Sequence, residues 1–385
     1  MPKFLHKVES NYISSFRADN VVSMFNVPIE QKLSREWEVD LPIEELDWTI
    51  GMIVGPSGSG KTTIAREAFK EAKFFDGLTH NNWDNTKSLL ESFSEEIPTK
   101  DVVGALSQVG FSSPPNWLLP FDKLSNGQKF RAEMARLVLE TSENQTLVVD
   151  EFTSVVDRGV AKICAASVQK MIRKKNRKMI AVSCHIDIAE WLEPDWIYFA
   201  DTGKFQRGGL RRPPIQLTLQ RIYYSTPLWS IFKGHHYLDG NVNHCSRSFV
   251  ATLDGVPVAY VAAIPFPHPH ISNMWRGHRT VVLPDYQGIG IGNRLSDEMG
   301  QYFIDQGKRY TSVTSHPAMI HHRMNSDLWI MTRKPGRVPA NGKSGSMATA
   351  ASRVTASFEY IGTGYQKNDN GTFTVKFKDE IREAE

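Results

Sequence analysis

The stretch Gly55-Pro56-Ser57-Gly58-Ser59-Gly60-Lys61-Thr62 decides how the first half of the chain is read. The apolar run before it, residues 49–54, predicts a buried strand, and residues 63–72 after it predict a helix. In that context G-x-x-x-x-G-K-[ST] is a phosphate-binding loop. Its glycines let main-chain N–H groups converge on phosphate oxygens, and the helix N-terminus adds a favourable dipole. Lys61 is expected to reach the β- and γ-phosphates, the Thr62 hydroxyl to bind Mg2+, and Thr63 to complete the ATP-binding set of residues 55–63.

Working outward, Leu147-Val148-Val149-Asp150-Glu151 is an apolar strand ending in two acids. Asp150 is expected near the Mg2+ shell and Glu151 where a water is polarised for in-line attack. Residues 179–182 predict a further strand, and residues 131–140 have helical spacing. Strands alternating with helices imply an α/β layer with a mostly parallel sheet. The texture changes at residues 201–214 (DTGKFQRGGLRRPP), with three Gly, two Pro, four basic residues and no periodicity. The expected division is residues 1–205, a linker at 206–215, and residues 216–385 with an extended C-terminus.

Further residues carry a family resemblance. Leu124-Ser125-Asn126-Gly127-Gln128 resembles the LSGGQ signature of ABC-type ATPases, with Asn126 in place of one glycine. Gln108 resembles the Q-loop glutamine, Asp157 the D-loop aspartate and His185 the switch histidine, in the family's order, over roughly residues 20–205. The resemblance implies a homodimer sandwiching two ATP molecules. Ser125, Gly127 and Gln128 would act on the partner's nucleotide, Glu151 as base or water-orienting group, and His185 at the γ-phosphate. Thr62, Gln108 and Asp150 would hold Mg2+. Only 15 residues, 109–123, separate Gln108 from Leu124, shorter than the insert of transporter ATPases, which points to a non-transport member. Phe25 and Trp37 both remain open as the aromatic that stacks on adenine.

The second half begins with two strands at residues 249–263, turned by Asp254-Gly255. A strand at 279–283 then leads into Pro284-Asp285-Tyr286-Gln287-Gly288-Ile289-Gly290-Ile291-Gly292-Asn293 and an amphipathic helix. This run resembles motif A of the GNAT acetyltransferases, and the resemblance covers about residues 216–335. It implies an α/β acyltransferase domain in which Gln287, Gly288, Ile289, Gly290, Ile291, Gly292 and Asn293 grip the pyrophosphate of acetyl-CoA or another acyl-CoA. Val281, Val282 and Leu283 would splay from residues 310–314 and offer backbone groups to the pantetheine.

The proton-handling group is less visible. The segment His316 to Trp329 has no tyrosine where GNAT enzymes often place a general acid. His316, His321, His322 and Ser326 are substitutes, and the His-rich stretch also fits metal binding or plain polar surface. His268, His270 and His278 precede the motif strand, where a base for an amine could sit. Residues 341–350 read as a small-residue loop.

Composition adds bounds. The chain has 385 residues, 41% hydrophobic and 23% charged, and a net charge of +3, too near neutral to announce a nucleic-acid or membrane-surface protein. No apolar stretch suits a membrane span, and no apolar h-region opens the chain. Cys164, Cys184 and Cys245 are few and scattered, which fits the cytoplasm. Basic runs at 170–178 and 207–212 fit phosphate contacts or a solvated helix end. The expected function is ATP hydrolysis coupled to acyl transfer onto an amine of a macromolecule, nucleic acid or protein. The alternatives are a regulatory ATPase that only binds acyl-CoA, and a DNA base modification enzyme of Mom-like type.

Overall fold

The computed structural model describes residues 3–9, 13–27, 34–44, 46–77, 83–222, 226–236, 242–267, 271–337, 354–363 and 373–378. The chain forms two compact units. One comprises Met1–Asp84, Phe93–Pro98 and Ser125–Arg212, and the other Asn85–Ser92, Thr99–Leu124 and Pro213–Glu385. The main helices along the chain are α1 (Phe16–Phe25), α2 (Lys61–Ala68), α3 (Thr99–Gln108), α4 (Asn126–Glu140), α5 (Arg158–Lys174), α6 (Thr226–Lys233), α7 (Ile291–Ile304) and α8 (Pro317–Met324).

In the first unit, β1 (Lys3–Glu9) and β2 (Ser34–Asp40) make an antiparallel ribbon. A second sheet has the order β4-β5-β6-β3-β7-β8, from β3 (Ile50–Val54), β4 (Lys73–Asp76), β5 (Leu147–Asp150), β6 (Met179–Ser183), β7 (Trp196–Phe199) and β8 (Lys204–Arg207). Its strands pair in parallel except β7 with β8. Helices cover central strands of such sheets on both faces, so β3, β5 and β6 are buried throughout and read as unbroken apolar runs. Trp196 anchors the core, edge-on to Trp48 at 5.6 Å and stacked between Phe69 and Phe205 at 6.4 and 6.0 Å. This strand order sets the carboxyl ends of β5, β6 and β3 side by side, the edge at which α/β sheets bind ligands. β8 forms within residues 201–214 because Gly203, at φ +68°, reverses the chain onto β7.

The second unit is built on a sheet in the order β14-β15-β13-β12-β11-β10-β9-β16. Its strands are β9 (Ile215–Ile222), β10 (Arg247–Leu253), β11 (Val256–Pro265), β12 (Met274–Val282), β13 (Arg309–Thr314), β14 (Trp329–Arg337), β15 (Val354–Tyr360) and β16 (Phe373–Lys378). The β10–β11 hairpin turns at Asp254 and Gly255, both at positive φ as its tight turn requires. On one face Phe303 of α7 stacks between Trp275 at 4.7 Å and Tyr310 at 5.4 Å. Elsewhere Trp229 and Phe232 of α6 pack with Val250, Tyr260 and Val281. Residues 99–124 belong to this unit, with Val102, Ala105, Leu106, Phe111, Trp117 and Phe121 buried. Among the described residues no helix is long and apolar enough to cross a membrane.

Candidate functional sites

In the first unit the phosphate loop joins the end of β3 to α2. Gly58 and Gly60 adopt φ +78° and +86°, and Gly60 is the N-cap of α2. These left-handed conformations turn successive main-chain amides toward one point, which is why glycine stands there. Lys61 is 6% exposed, and its Nζ donates to the Pro56 carbonyl at 2.8 Å. The ammonium thus lies folded over its own loop. Ser59 Oγ is buried with no hydrogen-bond partner, an atom suited to a bound oxyanion. The Thr62 hydroxyl and Asp150 carboxylate are hard oxygen donors, the chemistry Mg2+ prefers.

The two acids close β5. The Asp150 carboxylate accepts from the Glu151 N–H at 3.0 Å, and the Gly77 N–H donates to the Asp150 carbonyl at 2.9 Å. Glu151 sits at φ +48° and Thr153 at φ +65°, unusual for non-glycine residues and especially for a β-branched one. Such conformations cost roughly 1–3 kcal/mol each and cluster at functional sites. Here Phe152 holds the turn. Its N–H donates to the Val182 carbonyl at 2.9 Å, and its ring packs edge-on against Phe130 at 5.4 Å. Glu151 Oε2 accepts from the Ser154 hydroxyl at 2.6 Å. On the adjacent strand, Ser183 Oγ donates to the Phe152 carbonyl and accepts from the His185 N–H, both at 3.2 Å, so His185 and the Glu151 turn share one hydrogen-bonded frame.

At the signature-like segment, Ser125 caps α4 through a reciprocal capping box with Gln128. Gln128 is buried and its side-chain carbonyl is spent on the Ser125 N–H, whereas Ser125 stays exposed. Asp157 caps α5 by accepting from Gly159 and Val160. Gln108 ends α3 in the second unit, and its Oε1 is buried with no hydrogen-bond partner. Phe25, at the end of α1, is 71% exposed, and the Trp37 side chain lies outside the described residues. In the basic run, Arg173 binds Asp195 at 2.9 Å and the Glu193 carbonyl at 2.6 Å, and Lys178 lies over Trp48 at 4.9 Å. These cations already have structural work at the helix end. Burial, reinforced by Arg212, lowers Lys170 to about 8.

In the second unit, β12 and β13 pair only over Met274–Arg276 and Arg309–Thr311, then part. The other edge of β12 stays paired with β11 through Val282. A cavity of about 200 Å3 is lined by Val281, Val282, Gln287, Gly288, Gly290, Ile291, Gly292 and Asn293, eight of the ten residues expected to grip acyl-CoA. Gly288 and Gly290 adopt φ +92° and +101°, and Gly290 is the N-cap of α7. The amide nest and the helix N-terminus therefore coincide.

Three of the ten residues also meet other parts of the fold. The Leu283 N–H is spent on the Val258 carbonyl at 2.9 Å, and its side chain packs on the α6 cluster, because β11 continues to pair with the chain there. Ile289 does not line the cavity, since its side chain is buried in the core. The Gln287 side chain is a brace. It donates to the Val282 carbonyl at 2.8 Å and accepts from the Ser112 N–H at 2.9 Å.

The structure also sorts the histidines. Of the four substitutes for the missing tyrosine, His316 lines the cavity, while His321, His322 and Ser326 do not. His322 binds Asp297 at 3.0 Å, His321 binds Asn325, and Ser326 Oγ accepts from the Leu328 N–H at 3.3 Å. His316 Nδ1 is buried with no hydrogen-bond partner. Desolvation holds this imidazole below its usual pKa, partly opposed by a backbone bond to Ser112. His278 is the extra residue of a bulge in β12, between Gly277 and Arg279. Its Nε2 accepts from the Asn243 N–H at 3.3 Å. Burial, then the nearby Arg279, Arg276 and His236, lower it to about 4. His268 and His270 lie outside the described residues, as do residues 341–350. Tyr286 of the motif run also lines the cavity, as do His235, His236, Ser107 and Ser112, which no sequence motif marks. Among the described residues no group of three or more His, Cys, Asp or Glu is arranged to hold a metal.

Residues 244–323 match the family model described as the acetyltransferase (GNAT) domain. This stretch is a GNAT domain. The match runs from the approach to β10 through the glycine loop to the end of α8, and so contains both the splay and His316. Similar solved structures include a dimeric ATP-binding cassette in a post-hydrolysis state with ADP and phosphate bound, and a dimeric bacterial ABC transporter cassette. Each has a TM-score of 0.35 and 18% identity, covering 46% of this chain and 90% of the other. A third is a Clostridium perfringens component of an ABC transporter complex, with a TM-score of 0.34 and 17% identity, covering 46% of this chain and 80% of the other.

Proposed function

We propose that the protein binds and hydrolyses ATP in its first unit and transfers an acyl group from an acyl-CoA, acetyl-CoA among them, to an amine in its GNAT domain. The observation that carries the acyl-transfer reading is the glycine nest at Gly288–Gly290 opening onto the gap between β12 and β13. A nest of amides takes the pyrophosphate, and the unpaired strand edges take the pantetheine amides. The amine nitrogen attacks the thioester carbonyl, a C–N bond forms, and the C–S bond breaks. Neutral His316 accepts the proton lost by nitrogen and returns it to the departing sulfur, so the amide and free CoA thiol account for every atom. A lowered pKa suits that role, because the proton-accepting form prevails at neutral pH.

For ATP, the strand-end geometry supports Glu151 as the base for the attacking water and His185 as a γ-phosphate contact. Thr62 and Asp150 would hold Mg2+, which when bound would neutralise phosphate charge. Ser125, Gly127 and Gln128 would face a nucleotide across a homodimer. Gln128 closes the α4 cap with both its side-chain carbonyl and its N–H. The acceptor we favour is a macromolecule, since a small amine would hardly need an ATPase. Among the described residues Cys164, Cys184 and Cys245 form no disulfide, which suits a reducing cytoplasm.

The test is incubation of the full chain with labelled acetyl-CoA, ATP and candidate protein and nucleic-acid acceptors. Transfer that falls about 10–100-fold in His316→Ala is expected. Saturable binding without turnover would instead mark the regulatory reading favoured by the missing tyrosine. A shifted nucleoside mass in DNA from expressing cells would mark base modification.

A further inference from the structure

A segment far from the GNAT domain in sequence sits against its glycine loop. Residues 99–124 lie between the phosphate loop and the signature-like motif, outside the matched 244–323, yet fold within the second unit. α3 ends there in a tight reversal. The Phe111 N–H donates to the Leu106 carbonyl at 2.8 Å and the Gly110 N–H to the Ser107 carbonyl at 3.2 Å. That is the bond pair of a Schellman motif, with Gly110 at φ +84°. Phe111 and Leu106 are both buried, which locks the turn.

The locked turn does three things to the loop. The Ser112 N–H fixes the Gln287 side chain, whose amide in turn fixes Val282. Gly110 lies so close that a Cβ there would stand 2.9 Å from the Gln287 carbonyl carbon and 3.0 Å from Gly288 Cα. Ser107 and Ser112 line the cavity, and Ser107 Oγ is buried with no hydrogen-bond partner. An unsatisfied buried hydroxyl facing a cavity beside an amide nest is a donor waiting for a ligand oxygen.

We propose that the acyl-CoA site is composite: Ser107 binds the cofactor directly, and the Gly110–Ser112 turn holds the Gln287–Gly292 loop in its binding shape. This rests on the acyl-CoA reading of the cavity. A GNAT domain cut out at its family boundaries would therefore lack part of its own site.

The experiment is calorimetry of the full chain with CoA, on the wild type, Ser107→Ala and Gly110→Ala, with each variant's thermal midpoint recorded. Ser107→Ala is expected to weaken CoA about tenfold with an unchanged midpoint, the effect of losing one hydrogen bond to a charged group. Gly110→Ala is expected to weaken it by more, since the Cβ displaces the loop. Wild-type binding with both variants unaffected overturns the composite site while the acyl-CoA reading stands. No CoA binding by wild type overturns both.

Discussion

The two glycine loops, residues 55–62 and 287–292, solve the same local problem. In each a strand delivers the chain to paired positive-φ glycines, and the second of the pair caps a helix. Their settings differ. The strand before the first loop, β3, is paired along its length on both sides, and carboxylates end a nearby parallel strand. The strand before the second, β12, loses one neighbour after three pairs, and the cavity lining contains imidazoles and hydroxyls but no carboxylate. The first also carries Lys61 inside the loop, whereas the second is braced by a neutral glutamine. An amide nest thus recognises a phosphate, and its neighbours decide the chemistry: acids and a lysine suit cleavage of a phosphoanhydride, and an open strand edge with an imidazole suits acyl transfer.

The contrast breaks most sharply at Glu151. Glu151→Gln is expected to lower ATP hydrolysis about a thousandfold while ATP still binds, by phosphate release and nucleotide titration. If acyl transfer is unchanged in this variant and with or without ATP, the two loops work independently. A smaller effect is expected at the second loop. Gly290→Val forces a β-branched residue into φ +101°, and strain of roughly 1–3 kcal/mol predicts about 10–100-fold weaker CoA with ATP hydrolysis preserved. Equal loss of both activities would mean the two loops do not act as separate sites. The smallest effect concerns the imidazoles. His278 is held neutral in the fold, at about 4 against an ordinary 6.5. Its contribution to stability is complete above about pH 6.5 and is lost as pH falls toward 4, because the unfolded chain takes up the proton first. The thermal midpoint of the wild type should drop more between pH 7 and pH 5 than that of His278→Gln. Equal drops would place the acid sensitivity on other groups.

Both loops and their flanking strands and helices were legible because each is a local pattern: an apolar run, glycines at fixed offsets, then helical spacing. Asp150, Glu151 and the Asp254-Gly255 hairpin could be read for the same reason. The histidines could not. His316, His321 and His322 lie within seven residues, and only their placement after β13 shows that His316 faces the cavity while His322 is taken by Asp297. The Gln128 and Gln287 side chains look free to bind a ligand in sequence, yet the Gln128 carbonyl is spent on its own helix cap and the Gln287 amide on the Val282 carbonyl and the Ser112 N–H.

By itself, the sequence determined that the chain carries two glycine turns feeding helices and where each begins, since a left-handed glycine and a helix N-terminus are set by neighbours a few residues apart. Only the tertiary structure decided that β12 and β13 part after three pairs, that residues 107–112 close on a loop nearly two hundred residues later, and which imidazole is left facing the cavity. Those outcomes depend on hydrogen bonds and packing between segments distant in the chain, and no local pattern encodes which distant atoms will already be spoken for.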